Sequence, residues 1–588
     1  MDPGESLRAA VLAVQDAIEA AGERERARIE AALPRHRPSA LNLAHYLGLR
    51  NLDIRRLQLD LAAAGLSSLG RSEGHVHDAL LRLSAWLSPE HAAPPGNTLD
   101  RSKAEARLHA NTRALFGPRP ADRHVYIMVT APDAAEASEP WADAILHAGA
   151  DLLRINGAHE SPSEWARIVA AFTARAAALG KPGRVFVDLP GPKLRTEIRE
   201  LEDAVLHFPR CKDRQGRTIA PTPLELVAEY HEGAEIPVPA QWLPQLAAGD
   251  IVSITDAGQR RRSLVVRGPS ERGVAADCDR SLFIIAGLAL EWRRGSALLG
   301  KGQVGPLPRQ PRELRLDAGD AFVLNESGQS EDAAPALALA APAVLAALRP
   351  GERVILDDGR LVAVIEAARA DGLLCRVQRA LKSPTRLRSG KGVCFPDSTL
   401  ALGAMGPLDE AALAFALEHA DGVAASFVHS AQDVAAIGAR LEAAARPGFG
   451  LILKLETRGA MRNLPEILFE ALKHDPVGLM IARGDLAVEM SFERLAEMQE
   501  EILWFGEACH LPVIWATEVL DTVAHTGVPT RAEVTDAAMS MRAECVMLNK
   551  GPHLAAAVRM LADIIRKMEK HQFKKRSLYR PLALARAT

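Results

Sequence analysis

The sequence predicts an α/β protein: a closed parallel (β/α)8 barrel of the TIM type, carrying an inserted β-rich domain and preceded by a helical N-terminal region. Three observations predict it. Beyond His124 eight short apolar runs recur, each closed by a polar turn and most followed by an amphipathic segment. Their residues run mostly apolar and do not alternate, as strands buried on both faces require. The rhythm breaks once, between Thr196 and Phe395, where Gly-Asp turns alternate with β-branched runs. Before the first run, apolar residues recur at spacings of three and four, the period of a helix. At 588 residues the chain also exceeds a single ordinary core, given about 150 residues per domain.

Residues 1–120 form the helical region, with Val11, Val14 and Ile18, then Ile54, Leu57 and Leu61, on helical faces, and with Pro94, Pro95 and Gly96 marking its boundary. Residues 121–195 supply the runs Val125–Thr130, Leu152–Asn156 and Val185–Asp188 and the helical segments Trp141–Ala148 and Ser163–Ala177. Residues 196–395 are the insertion, with strands expected at Ile251–Ile254, Phe322–Leu324 and Val354–Leu356. It interrupts a βα loop, at the face where barrel active sites are built, and is expected to act as a lid. Residues 396–572 complete the barrel with Val423–Phe427, Leu451–Lys454, Leu479–Ala482, Val513–Ala516 and Val546–Leu548, and helices at Gln432–Ala444 and Phe492–Cys509. Residues 573–588 are a basic tail. An open doubly wound sheet is the alternative arrangement of the same units.

Composition excludes several classes of function. Lys and Arg number 71 against 74 Asp and Glu, a net charge of −3, which gives no support for binding to nucleic acid or to an acidic membrane surface. The six cysteines, at 211, 278, 375, 394, 509 and 545, show no Cys-x-x-Cys spacing, so neither a disulfide framework nor a zinc cluster is expected and a reducing cytoplasm is. Met1 to Glu5 place an acid before any base, unlike a secretory signal. The longest apolar stretch, Ala333–Leu348, is broken by Pro335 and Pro342 and falls short of the roughly 20 residues of a membrane span, so a linker or surface helix is expected there.

In such a barrel the chemistry sits where the strands end. Here they end in charge: Arg154 and Asn156, on one side of their strand by its period of two; Asp188, with Lys193 and Arg195 beyond; Lys454 and Glu456; Arg483 and Asp485; Thr517 and Glu518. One such residue is as readily an exposed loop start; five strand ends converging on one mouth are not. Glu456 and Asp485, from neighbouring strands, suit a Mg2+ ion, which takes one or two carboxylates and leaves positions for substrate oxygens. Arg154, Arg195 and Lys454 would face a phosphoryl group. Gly300-Lys301-Gly302-Gln303-Val304-Gly305 fits a dinucleotide fingerprint only in spacing, because Pro306 and Pro308 prevent the helix that must follow. Thr530-Arg531-Ala532-Glu533 reads as the capping box of a helix start.

The stretches Leu153-Arg154-Ile155-Asn156, Asp188 to Thr196, Ile355 to Gly359, Gly392-Val393, Ala425-Ser426-Phe427, Lys454-Leu455-Glu456, Ala482-Arg483-Gly484-Asp485-Leu486, Ala516-Thr517 and Pro529 to Glu533 resemble, in order, those of the pyruvate kinase family. The resemblance runs from about Arg123 to Lys570. It implies transfer of the phosphoryl group of phosphoenolpyruvate to ADP, a glycolytic reaction, with Mg2+ or Mn2+ as cofactor, and it identifies the insertion with the family's B domain. Lys454 would be the catalytic lysine, Glu456 and Asp485 the metal ligands, and Thr517 the residue where the enolate is protonated. The backbone N–H groups of Gly484 and Asp485 would hold the substrate carboxylate. Arg154, Asn156, His159 and Arg195 would contact nucleotide or phosphoryl oxygens.

The same comparison exposes departures. Of four expected K+ ligands, Asn156 and Asp188 remain and Ala158 and Leu189 replace the others, while Lys193 stands where K+-dependent members carry a glutamate. The resemblance there is to the K+-independent branch, so K+ is not expected to be required. Pro190, Glu518 and the Asn549-Lys550-Gly551 stretch also depart from the pattern and put the rate in question. The chain stops shortly after the last barrel helix, so the family's C-terminal regulatory domain is expected to be missing. Two rival readings stay open: a metal-dependent lyase or aldolase on a 2-oxo acid, and a degenerate kinase retained to bind a partner. Oligomeric state, and with it a homo-oligomer, is left undetermined.

Overall fold

The computed structural model describes residues 3–88, 96, 98–212, 218–398, 400, 403–574 and 576–577; Pro94 and Pro95 of the expected boundary, Met1 and Asp2, and nearly all of the basic tail lie outside them. The chain forms two compact units, Met1–Leu194 with Cys394–Thr588, and Arg195–Val393.

Among the described residues of the first unit, eight parallel strands close a barrel in chain order: Tyr126–Thr130, Leu152–Asn156, Arg184–Asp188, Gly422–Ala425, Gly450–Leu455, Val477–Ala482, Val513–Ala516 and Cys545–Leu548. The eighth returns to the first in register, Ile127 opposite Val546, so no edge remains. Alternation along each strand divides its apolar residues into two layers. Met128, Leu152, Phe186, Ile452, Met480 and Ile514 fill the lumen. Ile127, Leu153, Val187, Leu453 and Ile481 face outward to a helical shell that includes Pro162–Ala178, Phe492–Cys509 and Leu554–Met568. At the C-terminal ends the inward register passes from apolar to charged: Arg154 lies opposite Phe186, and Lys454 opposite Met480.

The N-terminal region supplies the barrel floor. Its last helix, Arg101–Phe116, is capped by Asp100, which accepts from Lys103 N at 2.9 Å, and ends by inserting Leu115 and Phe116 into the lumen cluster, both fully buried. Leu115 fits because two strands carry glycine at or next to their first residue: a Cβ on Gly450 or on Gly478 would come within 2.6 Å of a Leu115 methyl. The preceding helices, among them Pro3–Arg24, Arg37–Arg50 and Val76–Leu87, form their own cluster around Ile18, Leu61 and Leu80 and join the barrel at the end of helix Phe492–Cys509. Asn42 donates to Glu73 O at 2.7 Å and Ala508 O at 2.9 Å, and His510 bonds Ser39 Oγ at 2.9 Å and Gly74 O at 2.8 Å.

Among the described residues of the second unit there are two seven-stranded sheets. One has a core of Leu226, Ile254, Leu264, Trp242 and Trp292 and uses strands between Thr222 and Gln303; the other joins Arg195–Thr196 to strands between Ala321 and Cys394. The stretch Ala333–Leu348 corrects the expectation of a linker or surface helix. Its first half is a strand, Ala336–Ala338, parallel to Ala321–Asn325 with Leu337 and Ala338 fully buried, and only Pro342–Ala347 is helical. Pro342 sits at the N-terminal position of that helix, where its missing N–H costs nothing, and so separates the two elements. Gly300 and Gly302 lie in a strand, Ala297–Gln303, with no helix after them. The box at Thr530 is formed, its hydroxyl accepting from Glu533 N at 3.3 Å, and starts helix Arg531–Ser540. Among the described residues no helix is long and apolar enough to cross a membrane.

Candidate active site

The inward register of the second, third and fifth strands carries three charged side chains into one buried cluster. Arg154 donates to Asp188 Oδ2 at 2.8 Å and to Thr130 Oγ1 at 3.2 Å. Lys454 donates to Ser426 Oγ at 2.8 Å, and its ammonium lies 3.3 Å from Asp188 Oδ2 and 3.4 Å from Glu456 Oε2. Glu456, just past the fifth strand and fully buried, accepts from Phe427 N at 2.7 Å through its other oxygen.

The fifth member arrives from the turn after the third strand. Gly191 has φ of +72°, and a Cβ there would stand 2.9 Å from Ser426 and from Phe427, so only glycine lets this turn approach the fourth strand's end. Lys193 is thereby held 5.5 Å over the Phe427 ring and donates to Asp485 Oδ1 at 2.9 Å. Asp485 lies in the first turn of helix Arg483–Met490, after the sixth strand.

Arg154, Lys454 and Lys193 face Asp188, Glu456 and Asp485, three cations against three carboxyl groups. Burial disfavours the charge on Lys454, yet Glu456 and Asp188 outweigh it and its pKa is raised. Burial likewise opposes the carboxylate of Asp188, but Arg154 and Lys454 bring its pKa below the ordinary value. Burial pushes Glu456 up to about 7, with Lys454 working against the shift and the charge of Asp485 adding to it. Among the described residues, Glu456 Oε2 and Asp188 Oδ1 are buried without a hydrogen-bond partner. A half-satisfied carboxylate of this kind, near enough to Asp485 to feel its charge, has the chemistry that a divalent cation takes.

Thr517 lies just past the seventh strand with φ of +70°, followed by Glu518 at +58°. A β-branched residue there is strained, and the strain is held by Arg483, which donates to the carbonyls of Ala516 (2.9 Å) and Thr517 and pairs with both oxygens of Asp536. Gly484 lies beneath it, its would-be Cβ 3.0 Å from Thr517 Cγ2. Other expected residues stand apart from the charge cluster. Asn156 Oδ1 accepts from Ala158 N at 3.3 Å within its own turn, while Asp188 is committed to Arg154 and Lys454. His159 is exposed, with its carbonyl accepting from Trp165 Nε1 at 2.8 Å. Arg195 opens the second unit and donates to Gly390 O at 3.0 Å. The pattern of strand ends did not single out Ser426, the hydroxyl that fixes Lys454, or the clamp between Arg483 and Asp536. Ser426 follows a strand end, which was a usable signal; Asp536 offered none.

Residues 305–553 match the family described as pyruvate kinase, barrel domain. Curated relatives include a pyruvate kinase of Thermococcus litoralis, 34% identical over 229 residues, 38% of this chain and 46% of the relative. One of Methylorubrum extorquens is 30% identical over 307 residues, 52% of this chain and 59% of the relative. Pyruvate kinase PKLR of Homo sapiens is 32% identical over 235 residues, 39% of each. The chain thus spans about half the length of the curated relatives it matches.

Proposed function

We propose, for a chain whose barrel belongs to the pyruvate kinase family, that it transfers the phosphoryl group of phosphoenolpyruvate to ADP, giving pyruvate and ATP in a cytoplasmic setting. The observation that carries the reading is Lys454: an ammonium buried at the barrel mouth, fixed by Ser426, Asp188 and Glu456 beside a carboxylate oxygen that nothing else satisfies. An ADP oxygen attacks phosphorus as the bond to the enol oxygen breaks, and negative charge spreads over the transferring oxygens. Lys454 and Arg154 are preorganised to face that charge, and Asp188, bonded to both, keeps them in place. Glu456 and Asp485 would hold Mg2+ or Mn2+, whose charge neutralises phosphoryl and enolate oxygens. That charge is needed, because each of the three cations is already paired with a carboxyl group of the cluster.

The N–H groups of Gly484 and Asp485 orient the substrate carboxylate, Thr517 lies where C3 of the enolate takes its proton, and His159, Asn156 and Arg195 serve the nucleotide. Lys193 supplies the charge that K+ would otherwise bring, so turnover does not depend on K+. The test is a coupled assay of purified protein with phosphoenolpyruvate and ADP, with Mg2+ or Mn2+, in K+ or Na+ buffer. Pyruvate and ATP should form in equal amounts, with a divalent cation required. Absence of both products, in protein shown to be folded, rejects the reading.

A further inference from the structure

The second unit carries a basic face that none of the roles above uses. Leu314–Leu316 pairs antiparallel with Thr385–Leu387 in a two-stranded ribbon, Leu314 opposite Leu387 and Leu316 opposite Thr385. The strand period of two divides the ribbon into two faces. Leu314, Leu316, Thr385 and Leu387 are buried, so the alternate residues Arg315 and Arg386 stand outward, directly opposite one another. The same register carried one step further sets Glu313 opposite Arg388. These four side chains leave the ribbon from the corners of a rectangle about 5 Å across the strands and about 7 Å along them.

Like charges set directly opposite on a ladder destabilise it, and one carboxyl group is too little to offset three guanidinium groups. Glu313 Oε2 accepts from Arg388 Nε at 3.1 Å. Its Oε1 lies 3.5 Å from Arg386 and 3.9 Å from Arg315, both longer than an ordinary N–H···O bond. The neighbouring charges are engaged elsewhere. Arg312 donates to both oxygens of Glu200, at 2.8 and 2.9 Å, and Asp317 accepts from the Ser383 hydroxyl at 2.6 Å. The side chains of Arg315, Arg386 and Arg388 are 63%, 62% and 73% exposed, so the array is open to a solute.

A guanidinium group presents paired donors in a plane, which phosphoryl oxygens match. Exposed ion pairs such as those to Glu313 are weak, so an arginine can exchange the carboxyl group for a stronger acceptor. One phosphoryl group seated between Arg315 and Arg386 removes the repulsion across the strands. A second, carried on the same ligand, reaches Arg388 along the strand and takes it from Glu313. The basic face is one such rectangle long, which suits a compact ligand better than the extended row of phosphates on a nucleic acid. We propose that this ribbon face binds a compact anion carrying two or more phosphoryl groups.

The site does not rest on the phosphotransferase reading, so binding is measured on the full chain without substrates or divalent cations. Inorganic pyrophosphate, tripolyphosphate and orthophosphate are titrated by calorimetry at low and at physiological salt. The titrations are repeated on Arg388→Gln, on the double variant Arg315→Gln with Arg386→Gln, and on Lys454→Met, with melting temperatures recorded for each. Pyrophosphate and tripolyphosphate should bind at least tenfold more tightly than orthophosphate and weaken as salt rises. Their affinity should fall tenfold or more in each arginine variant and stay unchanged in Lys454→Met. The unliganded double variant should melt no lower than the wild type, because it relieves the opposed charges. No binding, equal affinity for orthophosphate, or binding that survives in both arginine variants overturns the site. Loss of binding in Lys454→Met alone places the anion at the barrel mouth and overturns it as well. A single-stranded oligonucleotide held more tightly than tripolyphosphate through the same arginines overturns the assignment to a compact ligand.

Discussion

Replacing Lys454 by Met is the most direct probe of the cluster, because the thioether keeps the apolar stem and removes only the ammonium. Two carboxylates lose their neighbour unequally. Asp188 keeps Arg154 at 2.8 Å, whereas Glu456 loses the cation 3.4 Å from its Oε2. At an effective dielectric of about 20, a pair at that distance is attracted by about 5 kcal/mol, offset in the wild type by the cost of burying both ions. Glu456 has an escape, since its pKa already lies at about 7 and it can take up a proton in place of staying charged. The loss of stability should therefore fall at or below the lower end of the range of about 3–5 kcal/mol for breaking a buried pair, leaving the barrel folded. The loss of rate should not be softened in this way: a missing preorganised cation or donor costs about 10²–10³-fold, or about 3–4 kcal/mol of barrier. Circular dichroism and melting temperature establish folding, and the coupled assay reads turnover. A folded variant with more than about a tenth of wild-type rate refutes the role given to Lys454.

Glu456→Gln and Asp485→Asn should each raise the Mg2+ concentration for half-maximal activity by about tenfold or more, an amide being a poor substitute for a carboxylate; a titration unchanged in both removes the pair from the site. Lys193→Glu should cut turnover at least about tenfold and not be rescued by K+, because it sets like charge against Asp485 across a 2.9 Å contact; normal kinetics, or a wild type that needs K+, contradicts it. Leu115→Ala should destabilise the protein by about 3 kcal/mol, the usual cost of emptying a fully buried leucine, as read by denaturant titration; a change under about 1 kcal/mol means Leu115 does not hold the floor. Burial lowers His510 to about 4, against an ordinary value near 6.5, so the unfolded chain takes up its proton first on acidification. The stability this residue contributes is complete above about pH 6.5 and is lost as pH falls toward 4, by up to about 3 kcal/mol, and His510→Gln should flatten that part of the melting-temperature profile.

What the sequence made legible follows from the distance between cause and effect along the chain. The eight strands could be read because burial on both faces is a property of four to six consecutive residues. Arg154 and Lys454 could be read because a period of two places them inward once the strand is known. The same local logic explains the error at Ala333–Leu348. Alanine-rich sequence is neutral between strand and helix, and only pairing with Ala321–Asn325, which no local signal announces, makes its first half a strand.

The floor and the clamp belong to a different class. In helix Arg101–Phe116 nothing marks Leu115 as a plug, since its fit depends on the missing side chains of Gly450 and Gly478, more than three hundred residues away. Arg483 reads as one more cation at a strand end until Asp536, 53 residues on, turns it into the support of the strained Thr517. Closure of the barrel makes both arrangements possible, and closure is a property of the whole set of strands. The strand-end charges are therefore legible in the sequence, while the groups that hold them in place are less so: Ser426 carries only its place after a strand end, and Asp536 carries no local signal at all. This division bears on how the site is built. A strand end is free to present charge because its own backbone bonds are already made to its neighbours, but a charge so presented is useful only if something distant fixes its direction. Here that something is Ser426 and Asp188 for Lys454, and the turn through Gly191 for Lys193.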